Sequence, residues 1–132
     1  MRLVVSYLAV LACFLALDFL WLGFVARDLY RASIGHLLAE NVRLAPAAAF
    51  YLLYCAGVVY FAVSPALASG RWTDALLPGA LLGLLAYGTY DLTSWAVMRG
   101  WPGSIAFIDL AWGGALTMLA AGAGAFAALR WT

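Results

Sequence analysis

Charge is scarce in this sequence. Its 132 residues include seven basic and six acidic side chains, every basic one an arginine, and the formal net charge is +1. A soluble protein must cover its surface with polar groups, and about a quarter of its residues are usually charged. A nearly neutral chain without clustered basic residues also lacks the electrostatic footprint of a nucleic-acid-binding protein. The scarcity of charge therefore argues against a soluble domain, and we expect no nucleic-acid partner.

Reactive motifs are equally scarce. The two cysteines, Cys13 and Cys55, lie in apolar runs without a CxxC or Cys/His spacing, so we interpret them as packed thiols and predict no metal site. The chain has a single histidine, His36, and it has no Ser/His/Asp constellation and no phosphate-binding loop. The sequence therefore predicts no cofactor and no named reaction, and whether the protein is an enzyme stays open.

Long apolar runs dominate what the sequence does contain. Hydrophobic residues make up 67% of the chain, and the mean hydropathy is +1.00. A bilayer core needs about 20 apolar residues per helix, and four segments of suitable length follow one another: about 3–25, 46–63, 75–98 and 104–129. We therefore predict an all-α integral membrane protein in which residues 1–132 form a single transmembrane domain, a four-transmembrane-helix bundle in a lipid bilayer.

Local signals refine the ends of these helices. Pro46 suits the first turn of the second helix, and Ser64-Pro65 is predicted to end it. Four apolar residues of the first connection fall on one helical face: Tyr30, Ile34, Leu37 and Leu38. They predict a short interfacial helix, and an irregular loop is the alternative. Three arginines on one side of the membrane against four on the other leave the orientation undecided.

Three aspartates fall inside the predicted spans: Asp18, Asp91 and Asp109. Ionisable residues within a membrane are costly, and by default they mark a functional site or a buried pairing. At 1.5 Å per residue, all three carboxyls lie roughly 9–13 Å below the side that carries the first and third loops. Tyr51 and Tyr54, early in the second helix, reach a similar depth. The sequence thus predicts one polar layer to which all four helices contribute.

Aromatic and hydroxyl side chains accompany the aspartates on the same helical faces. Asp91 has such neighbours at i−4, i−1, i+3 and i+4, and a tryptophan follows both Asp18 and Asp109 by three residues. Besides the three aspartates, the candidate site comprises eight residues: Tyr51, Tyr54, Tyr87, Tyr90, Ser94, Trp21, Trp95 and Trp112. Three carboxyls in one dry layer cannot all stay ionised, so we expect the layer to hold protons or to bind a cation or a polar head group. Hydrogen bonds that merely tie helices together are the alternative.

Four short runs follow one another across nearly the whole chain: DFLWLG at 18–23, FYLLY at 50–54, YGTYDLT at 87–93 and DLAWG at 109–113. In this order they resemble the bacterial membrane family DUF2177, a domain of unknown function. The YGTYDLT run is the most specific. The family has Asn after it, where this chain has Ser94, so the resemblance assigns no role to that side chain. The resemblance implies a four-helix, multi-pass protein of the bacterial inner membrane with the three aspartates as a set, and it implies no activity.

Three functions remain open at this stage. The first is a membrane-embedded site that binds or modifies a lipid-like small molecule, with Asp91 as the principal acid and Asp18 and Asp109 as its partners. The second is a proton-coupled exporter of organic cations. Its four helices, its acid in the first span and its many aromatics resemble in general terms the small multidrug resistance transporters, whose dimeric state leaves a homodimer open. The third is a structural or accessory subunit. We rank them in this order.

Overall fold

The computed structural model describes residues 1–25 and 44–132. Four helices in these residues are long and apolar enough to cross a membrane: α1 (Arg2–Phe24), α2 (Leu44–Ser69), α3 (Trp72–Val97) and α4 (Gly103–Trp131). In lipid a helix satisfies every backbone polar group internally, so long apolar runs form helices. The all-α class with four membrane-spanning candidates is therefore confirmed. The interfacial helix predicted within residues 30–38 lies outside the described residues.

The second helix passes through its predicted end at Pro65. An α-helical segment, Leu44–Val58, is followed by a π-helical turn, Val59–Val63, and by a further α-helical segment, Ser64–Ser69. Proline lacks a backbone N–H, and the first turn of a helical segment tolerates this because that donor has no partner there. Pro65 occupies this first turn, so the chain stays helical until Gly70, where a φ of 79° ends it.

The central helix of the bundle is α4. Half of its apolar stretch is buried, against 22–33% in the other three helices. It packs against both α1 and α3, and many of its buried residues are small: Ala106, Gly113, Gly114, Ala120, Ala121, Gly122, Gly124, Ala125, Ala127 and Ala128. Small residues let helix backbones approach closely where lipid supplies no hydrophobic driving force.

Glycines set the register between α3 and α4. A Cβ atom on Gly83 would clash with the backbone oxygen of Gly113 and lie 2.9 Å from the Cα atom of Gly114. A Cβ atom on Gly113 would clash with the ring of Tyr87. The two backbones therefore touch at this level, and the ring of Tyr87 packs on Gly113 immediately beside the contact.

The helix α2 packs against the rest of the bundle mainly through the residues from Tyr54 onwards. Its buried side chains begin at Tyr54, whereas every residue of 44–53 is exposed or half-buried. Grooves open between this first part of α2 and the helices on either side of it. The arrangement places Asp18 and Tyr51 beside a groove between α1 and α2.

Candidate functional site

Asp18 joins three helices. Its side chain, on α1, is only 8% exposed. Oδ2 accepts a hydrogen bond of 2.5 Å from the hydroxyl of Tyr51 on α2, and Oδ1 accepts one of 3.4 Å from the indole N–H of Trp112 on α4. The second bond is longer than usual for a nitrogen donor and is therefore the weaker of the two. Buried Asp18 thus connects α1, α2 and α4 through one carboxyl group.

Aromatic rings hold the partners of Asp18 in place. Trp21, one turn after Asp18, stacks on Trp112, with ring centroids 4.5 Å apart and planes inclined by 9°. Phe14, one turn before Asp18, is fully buried and packs edge-on against both Tyr51 and Tyr54. Aromatic pairs in such arrangements contribute beyond their buried area. The helical spacing around Asp18 therefore supplies one supporting ring on each side of the acid.

Two further members of the candidate site lie within electrostatic range of Asp18. Asp109, half-buried on α4, is close enough to Asp18 for an electrostatic interaction. Tyr87 on α3 is within electrostatic range of both Asp18 and Asp91. Tyr87 is therefore within electrostatic range of the aspartates of α1 and α3, while the single layer of three aspartates stays a prediction.

Asp91 is the most enclosed of the three acids. It is fully buried, and among the described residues neither carboxyl oxygen has a hydrogen-bond partner. Gly88, one turn earlier, lies against Leu110 of α4, so this face of α3 is directed at α4. A buried polar group without a partner costs free energy and calls for an explanation.

A groove between α1 and α2 opens beside Asp18. It has a volume of about 630 Å³ and is lined by Leu15, Ala16, Asp18, Phe19, Leu22, Gly23 and Tyr51. We call it the Asp18 groove. Small-molecule sites are typically apolar clefts of about this size with a few polar groups that fix the orientation of the ligand. In the Asp18 groove the carboxyl and the Tyr51 phenol are those polar groups.

Comparison with known families decides where the chain belongs. The model of the predicted membrane protein family DUF2177 matches residues 3–126. The chain is a member of DUF2177. The match confirms the resemblance seen in the sequence and takes in most of each of the four helices. Neither the curated proteins nor the solved structures contain a match to it. It is thus a multi-pass membrane protein of unknown activity with a buried, hydrogen-bonded Asp18.

Not every candidate residue of this DUF2177 protein lies near Asp18. Tyr90 is 57% exposed and its ring contacts Trp101, with centroids 5.5 Å apart. Trp95 is 45% exposed and packs against Phe107, while Ser94 is half-buried. These three belong to the end of α3 that leads into the α3–α4 turn, where the rings of Tyr90 and Trp95 contact Trp101 and Phe107.

Thr117 is a buried partner that the sequence reasoning missed. Its Oγ1 lies 2.8 Å from the hydroxyl of Tyr54, and the pair ties α2 to α4. The available signal was a hydroxyl residue within an apolar span, one turn after Gly113. Tyr54 therefore stabilises the bundle through Thr117 rather than by reaching Asp18.

Thr117→Val should destabilise this DUF2177 protein by about 1 kcal/mol, because it leaves the buried Tyr54 hydroxyl without its partner at nearly unchanged volume. Thermal unfolding in one detergent would measure the loss. Thr89→Val is the matched control, since the exposed Thr89 hydroxyl only bonds the Leu85 carbonyl of its own helix. An equal midpoint for both variants would contradict the expectation.

Proposed function

We propose that this DUF2177 protein binds a lipid-like amphiphile in the Asp18 groove, in what its family resemblance implies is the bacterial inner membrane. The polar head contacts Asp18 and Tyr51, and the apolar part lies against Leu15, Phe19 and Leu22. The observation that carries the proposal is a nearly buried carboxyl at the wall of an apolar groove between two membrane-spanning helices. An intramembrane acid in such a place is by default a functional residue.

The accessibility of the two acids favours Asp18 as the head-group contact. Asp18 lines the groove, whereas Asp91 is 0% exposed and lies on the face of α3 directed at α4. A ligand entering sideways from the bilayer meets Asp18 without any movement of the helices. Asp91, the principal acid expected from the sequence, would become accessible only if α3 and α4 separated.

The chemistry of the groove supports binding rather than modification. Its polar groups are a carboxyl and a phenol that are already hydrogen-bonded to each other. Catalysis also needs groups that stabilise the charge developing on the substrate, and the described groove lining adds no polar side chain besides Asp18 and Tyr51. The proposal therefore stops at recognition of an amphiphile and assigns no bond-making step.

Filling the groove is the direct test of the proposal. Gly23 lines the Asp18 groove, and a Cβ atom there would meet nothing within 4 Å. Gly23→Phe should therefore occupy the groove and reduce ligand retention by about tenfold or more, equivalent to the loss of about 1.4 kcal/mol of binding free energy. Native mass spectra of the detergent-purified protein would report amphiphiles that remain bound.

A second glycine provides a matched control. Gly57 lines a groove of about 670 Å³ on the other side of α2, and its surroundings are equally open to a Cβ atom. Gly57→Phe should leave the bound amphiphile unchanged, with circular dichroism showing that both variants fold. Equal adducts on Gly23→Phe and Gly57→Phe, or a wild type that retains no amphiphile, would refute the proposal.

A further inference from the structure

The hydrogen bonds of Asp18 indicate that both oxygens of its carboxyl group act as acceptors. One oxygen accepts from Tyr51 and the other from Trp112. An indole N–H is a donor only, so the oxygen facing Trp112 must be an acceptor. With one donor on each oxygen, the arrangement suits an ionised carboxylate that accepts at both ends.

The acceptor capacity of this carboxylate is only partly used. The two oxygens of an ionised carboxylate have about four lone-pair sites, and the described residues fill one on each oxygen. The remaining sites call for further donors. A phosphate or carboxylate head would bring lone pairs against lone pairs and charge against like charge, whereas an amine would supply N–H donors.

Among the described residues, no cationic side chain forms an ion pair with Asp18. The ion pair found in residues 1–25 and 44–132 joins Arg71 to Asp74, and the described hydrogen bonds of Asp18 come from a phenol and an indole, both neutral. A buried charge without a counter-charge is costly, and a cation that also donates hydrogen bonds compensates that charge in a way that neutral donors do not. A positively charged head group would therefore gain more from this position than a neutral one.

Two aromatic rings complete the lining beside the acid. Phe19 and Tyr51 both border the Asp18 groove. A cation near the face of an aromatic ring is attracted by the ring quadrupole, and the attraction grows when water is excluded. Carboxylate, aromatic rings and an aliphatic wall together match an amphiphile with a cationic head and an apolar tail.

From these contacts we infer that the ligand of the Asp18 groove is a cationic amphiphile whose ammonium head donates hydrogen bonds to Asp18. This inference rests on the proposed binding function and names the class of its ligand. The alkyl part lies against Leu15 and Leu22, and the ammonium group takes the acceptor sites that Tyr51 and Trp112 leave open.

A set of probes with identical tails isolates the head group. Dodecylamine offers charge and N–H donors, dodecyltrimethylammonium offers charge alone, dodecanol offers a neutral donor, and dodecyl phosphate is an anion. An equimolar mixture would be offered to the full chain in lipid nanodiscs, and native mass spectra would give the relative occupancies. We expect occupancy to fall in that order, with dodecylamine exceeding dodecanol by about tenfold, the ratio expected for one charge-assisted hydrogen bond of modest strength.

Asp18→Asn removes the charge at nearly constant shape. It should bring dodecylamine and dodecanol to within about twofold of each other, while Gly57→Phe keeps the wild-type order. If Asp18→Asn fails to fold, the order of the four probes on the wild type still tests the inference.

The outcomes distinguish the preference for a cationic head group from the binding of an amphiphile in the Asp18 groove. Equal binding of amine and alcohol, or a preference for the phosphate, would overturn the cationic head group. If that binding still disappeared in Gly23→Phe, the groove itself would stand. Binding of no probe, or binding that Gly23→Phe leaves unchanged, would overturn both.

Discussion

Gly83→Ala is expected to destabilise the bundle by about 3 kcal/mol, the upper end of the usual cost of over-packing. The added methyl group would clash with the backbone oxygen of Gly113 and lie 2.9 Å from the Cα atom of Gly114. Backbone atoms cannot rotate away as a flexible side chain can, so α3 and α4 must separate. Because α4 is the central helix, the separation would also disturb the contacts that α4 makes with α1.

Thermal unfolding of the detergent-solubilised protein would measure this effect, and the chain contains its own controls. Alanine at Gly23 or Gly57 adds the same methyl group where nothing lies within 4 Å. These two variants should unfold at or slightly above the wild-type midpoint, since alanine favours a helix over glycine by up to about 1 kcal/mol. A Gly83→Ala midpoint equal to theirs would falsify the close contact between α3 and α4.

Asp91→Thr is expected to stabilise the protein, by roughly 1–3 kcal/mol, the cost of a buried polar group without a partner. Asp91 is fully buried, and its oxygens have no hydrogen-bond partner among the described residues. Threonine is similar in size and can bond the carbonyl one turn earlier on its own helix. Thr89 does this with Leu85 on the same helix.

The unfolding midpoint should therefore rise, by about 2–8 °C for each kcal/mol in a chain of this length. Asp91→Asn is the informative comparison, because an amide at this position keeps the need for partners and should gain less. A midpoint that falls in Asp91→Thr would show that the carboxyl has a partner in the folded protein. A rise would mean that the chain retains a costly acid for a reason other than stability.

The membrane-spanning helices were predictable because backbone polar groups in lipid must form their hydrogen bonds within the protein. Apolar runs of sufficient length must form helices, since each unpaired backbone group in hydrocarbon costs several kcal/mol. The four runs accordingly match the four helices within a few residues, apart from the end of α2. There, Pro65 was interpreted as a stop, although it falls in the first turn of a further helical segment after a π-helical turn.

An expected depth for each polar residue also follows from helix geometry. The fixed rise of a helix converts position in the sequence into an expected depth in the membrane, which predicts one layer for Asp18, Asp91, Asp109, Tyr51 and Tyr54. Depth does not say in which direction a side chain points. Tyr54 belongs to the same predicted layer, yet its hydroxyl pairs with Thr117 on α4, and Tyr90 is directed outward with 57% exposure.

The sequence by itself therefore determined that this protein enters the membrane and roughly where its four long apolar helices run. The common depth of its acids stays a prediction. The tertiary structure decided which acids meet which partners, because contacts between helices set the rotation of each helix about its own axis. The glycine contacts of α4 with α3 direct Asp91 inward. Residues 44–53 of α2 include no buried residue, and Asp18 therefore lies at an open groove. Rotation and crossing depend on residues distant in sequence, so the pattern of a single helix does not contain them.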